Sequence, residues 1–402
     1  MCKRTSTRNI ALVMFVSGGI GGAEKRYATL FEYLRKIGHN NYYLIINREC
    51  LYRLKKVGFF INEDENIIPL IIHKNDCYIE THRAERLRFK GHKKRNKFFR
   101  KLADIKYTFD LIPIYLRTIY LLQKIIKHYN ITHLYGIWFG AFSLLPFCFK
   151  NSVKIGFSYN DSTFVHLSKN IIKIPRSYYW LFRFADITDF LSNETYKGII
   201  KRGIQVKNPE VAPNSFVDYD VYAPKYPKKN WVSFVGRFFH FKNPLLLLET
   251  IPLIVNKYPN YKFFFLGNGI LENVMMKKID ELKINDYVQI FYSNNPSEIL
   301  SRSKIFVSLQ KSNNYPSQSL LEAMACENAI VATDVGQTKL LVDEDVGQLV
   351  TFDKQSVAER VLSLIENDDK LIKKGKRARQ RVVSNHTIEK YVAYFNKLFN
   401  DN

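Results

Sequence analysis

The chain has 402 residues, with 61 Lys or Arg against 37 Asp or Glu and a formal net charge of +24. That length exceeds one ordinary core, so two domains are expected, and the charge favours polyanionic partners: nucleic acid, phosphorylated ligands or an anionic membrane surface. The five cysteines (Cys2, Cys50, Cys77, Cys148 and Cys326) are odd in number and form no C-x-x-C pair. They argue against a disulfide framework or a zinc site and fit a reducing cytoplasm.

The basic start followed by apolar Ile10 to Val16 superficially looks like a secretion signal. The run is short, however, and ends in Gly18-Gly19 ahead of a helical pattern, so a first buried strand over Asn9 to Ser17 is expected. An amphipathic helix from Ala23 to Ile37 follows, with Gly38 where a C-cap glycine belongs, then a strand at Tyr42 to Asn47. Strand, helix, strand implies parallel pairing through a right-handed crossover. Between Arg83 and Lys106 lie 11 Lys/Arg and 2 acids, interleaved with Leu87, Phe89, Phe98, Phe99, Leu102 and Ile105. An amphipathic, aromatic-bearing stretch continues to Tyr129. Leu134 to Phe149 is apolar but too short to span a bilayer and contains Pro146, so it reads as a buried segment. Further strands are expected near Ile131 to Tyr135, Val153 to Ser158 and Ile187 to Ser192.

The stretch VAPNSFVDYDVYAPKYPKKN, with three prolines, reads as the link between halves. Beyond it the alternation repeats: strands at Trp231 to Arg237, Lys262 to Gly269, Tyr287 to Tyr292, Lys304 to Leu309 and Ala329 to Asp334, separated by helices including Pro244 to Tyr258. A last amphipathic helix begins at Thr387. The architecture inferred is α/β, two doubly wound Rossmann-like domains facing across a cleft. Residues 1–207 are expected to form the first and 208–386 the second, with the helix 387–402 packing back toward the first. Open parallel sheets bind ligands beyond the carboxyl ends of their strands.

Three segments stand at such ends. In NNYPSQSLLEAMAC, Asn313 or Asn314 is expected to cap a helix with Pro316 at its first position. Ser317, Gln318 and Ser319 would then present free amides at the positive end of the helix dipole, a seat for phosphate. Glu322, one turn further, is placed to accept from ribose hydroxyls; the bland alternative is a well-capped core helix with Glu322 solvated. In VGRFFHFKNP, Arg237 and Lys242 share one short loop and could grip two phosphates, against a reading as surface charge. The loop SGGIGGAEKR fails G-x-G-x-x-G because Glu24 stands where the third glycine should be. Glu49 after the second strand keeps a dinucleotide reading open, and a nicotinamide-dependent oxidoreductase is the weaker rival.

Taken together these residues resemble a family-4 retaining glycosyltransferase of the GT-B fold (glycosyl transferases group 1) over nearly the whole length. The resemblance is carried by GGIGGAEKRYATLFEYLRKIGH, FLSNETYKGIIKRGI, VAPNSFVDYDVYAP, VSFVGRFFHFKNPLLLLETI, FFFLGNGILE and NYPSQSLLEAMACENAIVATDVG, in that order. It implies an acceptor-binding, membrane-facing first domain and a nucleotide-sugar-binding second one, in which Arg237 and Lys242 hold the donor's diphosphate with the amides near Pro316 and Glu322 binds the ribose. Gly267 and Gly269 would then lie near the base, with the Gly21–Gly22 loop closing over the phosphates. No cofactor or metal is implied; the donor is a nucleotide diphosphate sugar. The family's usual glutamate pair, separated by seven residues, would put its first member at Asn314, which cannot carry the negative charge. Cys326-Glu327 replaces a common Cys-Gly, a change expected to be neutral. Asp161, in SYNDST, and His133 are candidates for the acceptor-side group near the scissile bond, although a lone His or Asp in a loop is more often structural.

Asp218-Tyr219-Asp220 matches the D-x-D of metal-dependent transferases of another fold, but it lies in the interdomain stretch. The basic run Arg83–Lys106 reads as a site for an anionic bilayer, and no nucleic-acid fold signature accompanies it. The expectation is thus a cytoplasmic, peripherally membrane-associated, metal-independent retaining transferase acting on a surface-glycan or lipid-linked acceptor. The alternative is a non-catalytic sugar-nucleotide-binding partner of an active enzyme.

Overall fold

The structure is a computed structural model that describes residues 8–16, 21–38, 40–62, 64–72, 97–150, 152–159, 176–313 and 315–399. The chain divides into two units. One comprises Met1–Val211 with Asn396–Asn402, the other Ala212–Phe395.

The first unit holds a seven-stranded, wholly parallel sheet: β1 (Asn9–Phe15), β2 (Asn41–Asn47), β3 (Ile67–Leu70), β4 (His133–Trp138), β5 (Lys154–Tyr159), β6 (Ile187–Phe190) and β7 (Pro209–Val211), in spatial order 3-2-1-4-5-6-7. Every residue from Ile10 to Phe15 is at most 2% exposed, which is why that run is uniformly apolar rather than alternating. The helix Gly22–Ile37 ends at Gly38 with φ 65°, the left-handed C-cap that its glycine permits without penalty. Helix Asn193–Ile200 begins on Ser192, whose hydroxyl accepts from Thr195 N–H. Helix Lys97–His128, the 3₁₀ segment Phe139–Phe149 and helix Arg176–Phe184 share one core, in which Leu122, Leu144, Phe147, Leu181 and Phe182 pack on β4 and β5. The three elements thus share one core with the sheet.

The second unit repeats the plan with six parallel strands: β8 (Lys229–Val235), β9 (Lys262–Leu266), β10 (Val288–Phe291), β11 (Ser303–Ser308), β12 (Ala329–Thr333) and β13 (Gly347–Val350), ordered 10-9-8-11-12-13. β3, β7 and β13, only four, three and four residues long, are too short to carry a periodic signal and were not among the expected strands. Helix Pro244–Val255 packs with helix Lys354–Ile365 in one layer; helices Gln318–Ala325 and Asp368–Asn385 make the other.

The boundary between the units falls within the stretch expected to link the halves, and from Ala212 onward that stretch packs in the second unit. Asn214, Ser215, Phe216 and Val217 are buried. Ser215 N–H donates to Nδ1 of buried His386, and the Tyr219 hydroxyl lies 2.7 Å from Val382 O and 2.9 Å from His386 O. The helix Ile388–Leu398 ends the fold.

Candidate functional site

Where strand order reverses, neighbouring loops diverge and leave room for a ligand. In the second sheet that point falls between the carboxyl ends of β8 and β11, and the loops expected to carry the chemistry meet there. The β8 loop, Gly236–Asn243, is clamped on one side by the β9 loop. Gly236 N–H donates to Leu266 O at 3.0 Å, and Phe238 N–H to Asn268 O at 2.8 Å. A Cβ on Gly267 (φ 156°) would lie 2.0 Å from Gly236 O, and one on Gly269 (φ 157°) 2.6 Å from Phe238 O. These glycines let two backbones touch. On its other side, Lys311 N–H donates to Phe241 O at 2.8 Å, joining the β8 loop to the chain after β11.

Lys242 points into this junction. Its Nζ donates to Gln310 Oε1 at 2.5 Å, and burial together with the Arg237 guanidinium lowers it from the ordinary 10.5 to about 8. Arg237 is exposed, its guanidinium 5.5 Å from the Phe239 ring centroid. Among the described residues neither cation pairs with a carboxylate. Gln310 was not anticipated. It is 7% exposed, and its Nε2 donates to Asn313 O at 2.8 Å while Thr333 Oγ1 donates to its carbonyl at 2.7 Å. A glutamine inside an apolar strand-end run is the one signal that could have found it.

Asn313 does not cap the helix, because its Oδ1 is occupied by Gln337 N–H at 2.9 Å and Tyr315 N–H at 3.2 Å. Ser317 is the N-cap and the helix runs Gln318–Ala325, so Pro316 precedes the cap rather than opening the helix. The first intrahelical bond is Leu321 N–H to Ser317 O at 3.0 Å. The amides of Gln318, Ser319 and Leu320 therefore have no intrahelical acceptor, the condition for an anion seat. Ser317 and Ser319 hydroxyls lie 3.3 Å apart, and Gln318 Nε2 donates to Phe216 O at 3.2 Å. Glu322 follows one turn in, and burial together with its charge raises the Tyr222 phenol above its ordinary range.

The far end of this helix is also built. Arg379 donates to Ala325 O, and Lys228 to Cys326 O and to Ser303 O at 3.0 Å. Two cations at the C-terminus satisfy its orphan carbonyls and complement the dipole. Burial holds the Lys228 ammonium down to about 8. Glu327 has φ 58°, a left-handed backbone that an L side chain adopts at a cost of about 1 kcal/mol, so the expected neutrality of this replacement does not extend to the backbone. The Tyr226 hydroxyl donates to its carboxylate.

In the first unit, Gly21 caps helix Gly22–Ile37, with its N–H donating to Glu24 Oε2 at 2.8 Å. Gly22 is the first helical residue. His133 corrects an expectation. It opens β4, at the amino end of the strand, opposite the end where parallel sheets bind. It is 6% exposed, packed edge-on to Phe399 at 5.3 Å, and burial lowers it to about 4, so it is a neutral core histidine. Glu49 pairs with Arg53 at 3.0 Å, which removes the support it gave to a dinucleotide reading. Asp218 Oδ1 accepts from Asp220 and Val221 N–H at 3.1 and 3.2 Å, closing a turn, so the D-x-D match is local turn chemistry. Asn314 and Asp161 lie outside the described residues, as does the run 83–96 with the side chains of 97–106.

Two parallel Rossmann-like sheets with a cationic strand-end loop beside a helix N-terminus define the GT-B class of fold. Residues 220–381 match the family model "Glycosyl transferases group 1". A poly(ribitol-phosphate) α-N-acetylglucosaminyltransferase of Staphylococcus aureus (strain COL) is 27% identical over 185 residues, 44% of this chain and 37% of that protein. From Campylobacter jejuni, N-acetylgalactosamine-N,N'-diacetylbacillosaminyl-diphospho-undecaprenol 4-α-N-acetylgalactosaminyltransferase is 29% identical over 149 residues, 36% of this chain and 40% of that protein. The alignments thus span well under half of these relatives. A crystal structure of S. aureus TarM in complex with fondaparinux, α-GlcNAc-glycerol and UDP superposes with TM-score 0.70 at 14% identity, covering 98% of this chain and 100% of that one.

Proposed function

We propose that the chain is a retaining, metal-independent glycosyltransferase that moves a sugar from a nucleotide diphosphate sugar to a surface-glycan or lipid-linked acceptor at the cytoplasmic face of a membrane. The observation that carries this reading is Lys242 held on Gln310, with Arg237 on the same loop and the Gln318–Leu320 amides at the helix start that follows Gln310, all within residues that match the glycosyl transferases group 1 model. Two cations and three dipolar donors would neutralise a diphosphate leaving group, the role a metal plays elsewhere. Ser317, Gln318 and Ser319 would seat the distal phosphate, and Glu322 would take the ribose. Gly267 and Gly269 would flank the base, and Gly21–Gly22 would approach the phosphates. The relatives' names support the acceptor class, and the TarM complex supports a uridine diphosphate donor.

A second reading rests on Asn314: without the first carboxylate of the expected pair, the chain would bind sugar nucleotides as a non-catalytic partner of an active transferase. Transfer and donor-hydrolysis assays across UDP- and GDP-sugars discriminate the two. Measurable turnover is expected from the wild type, loss in Glu322→Ala, and a gain of about tenfold or more in Asn314→Glu, since an anion there would stabilise oxocarbenium-like charge. A silent wild type beside an active Asn314→Glu would replace the enzyme by the partner.

Membrane association is supported by the outer side of the Lys97–His128 layer as well as by the Arg83–Lys106 run. Leu116 (60% exposed), Tyr120 (55%), Phe149 (62%) and Trp180 (53%) stand out on the three elements that share one core with the sheet. No Asp or Glu occurs from Leu111 to Tyr159, while Arg117, Lys124, Lys127, Lys150 and Lys154 do. Aromatic anchors with such charge suit an anionic interface at about 1 kcal/mol per cation. Sedimentation with phosphatidylglycerol vesicles should exceed that with phosphatidylcholine at least tenfold and drop when salt is raised; equal binding to both overturns the docking reading.

A further inference from the structure

Gln310 is a polar side chain buried just past the end of β11. Its carbonyl accepts from Oγ1 of buried Thr333 at 2.7 Å, which ties its backbone to the end of β12. Its side-chain amide is used at both ends. Nε2 donates to Asn313 O at 2.8 Å, and Oε1 accepts from Lys242 Nζ at 2.5 Å. These partners admit one orientation of the amide. A carbonyl only accepts and an ammonium only donates, so a flipped amide would set oxygen against oxygen and NH₂ against ammonium. The lysine stem is packed as well. Its Cδ and Cε lie 3.8 Å from the point that a Cβ on Gly236 would occupy, and its Nζ is 5.9 Å from the Phe241 ring centroid. Beyond Asn313, whose Oδ1 accepts from Gln337 and Tyr315 N–H, the chain runs on to the Ser317 cap and the three amides of the helix start.

We propose that Gln310 is a positioning residue that fixes the Lys242 ammonium for a nucleotide diphosphate by accepting one of its hydrogens, while its amide nitrogen holds the chain that leads to the phosphate-seating helix. This rests on the reading of Lys242 as a diphosphate-binding group. An ammonium has three N–H donors. One goes to Gln310, and two stay available for phosphate oxygens. A lysine stem otherwise surrenders its rotamer freedom when the ligand arrives, and fixing it beforehand removes that cost from binding. The neutrality of the amide matters too. A carboxylate at this position would pair with the ammonium and cancel charge that the phosphate needs, and it would face Asn313 O with no hydrogen to donate.

The test is a double-mutant cycle on the full chain with Gln310→Met, Lys242→Met and both together. It is repeated with Gln310→Asn, whose amide is one methylene too short to reach both partners. Each chain is titrated with UDP, GDP and ADP and with the nucleoside of whichever binds, read by ligand-observed magnetic resonance. Either change at Gln310 is expected to weaken the diphosphate by about five- to twentyfold, leave the nucleoside unchanged, and have no further effect in Lys242→Met. The unchanged nucleoside affinity also shows that the domain is folded. An equal loss for diphosphate and nucleoside, or none, overturns the proposal and leaves Gln310 as a structural contact. A loss that persists in Lys242→Met overturns it as well, because Gln310 would then act through another group. If Lys242→Met itself leaves the diphosphate-to-nucleoside ratio untouched, or the parent chain binds none of the three nucleotides, the diphosphate reading of Lys242 has failed and the inference about Gln310 falls with it. The two failures are thereby told apart.

Discussion

Replacing Arg237 and Lys242 together by methionine is expected to weaken nucleotide diphosphate binding at least about a hundredfold while the chain stays folded. Each charge-assisted contact to phosphate contributes about 1.5–3 kcal/mol, so losing two removes about 3–6 kcal/mol. Lys242 carries a second signature. Its ammonium, held down to about 8, is charged below that pH and neutral above it. The terminal phosphate is already ionised there, having a pKa near 6. Affinity measured by calorimetry should therefore fall as pH rises through about 8 in the wild type, and Lys242→Met should flatten that limb. The sign for stability is opposite. Between about 8 and 10.5 the unfolded chain keeps a proton that the folded lysine has released, so stability rises with pH across that window. This folded-state cost is removed in the methionine variant, which should unfold no earlier than the wild type. Unchanged nucleotide affinity in a folded double variant would end the transferase reading.

Gly267→Ala is expected to cost at least about 3 kcal/mol and to abolish nucleotide binding with it. The added methyl would sit 2.0 Å from Gly236 O at a φ of 156°, so the β8 and β9 loops would have to part. Since Gly236 N–H and Phe238 N–H bond the β9 end, parting them displaces the loop that carries Arg237 and Lys242. Urea unfolding reads the first effect and calorimetry the second. Gly38→Ala is the control: it too has a positive φ, 65°, but no atom within 4 Å of the new Cβ, and it lies in the other unit. It should lose only about 1 kcal/mol and bind nucleotide normally. A Gly267→Ala chain that unfolds with its parent would show that the loops have room to spare.

The sequence by itself determined a great deal. Uniform apolar runs such as Ile10–Phe15 and Ile305–Val307 announced strands buried on both faces, the helical stretches between them imposed parallel order, and the residues just past each strand end marked where to look for a site. Those are local patterns, and 2.0 and 3.6 residue periodicities are legible one segment at a time. Arg237, Lys242, Ser317 and Glu322 were found this way, by position after a strand. What required the tertiary structure was everything that depends on a partner far along the chain. Asn313 resembles a cap in isolation, but Gln337 N–H and Tyr315 N–H take its oxygen, so Ser317 becomes the cap. Gly267 and Gly269 look in the sequence like places where a backbone meets a ligand, and only the fold shows that they also let the β8 loop lie against the end of β9. His133 passes for an acid–base residue until its place at the amino end of β4, under the Phe399 ring, is known. Gln310 and Arg379 were invisible for the same reason: a hydrogen bond across dozens of residues leaves no period in the sequence, only a side chain waiting for the fold to supply its other half.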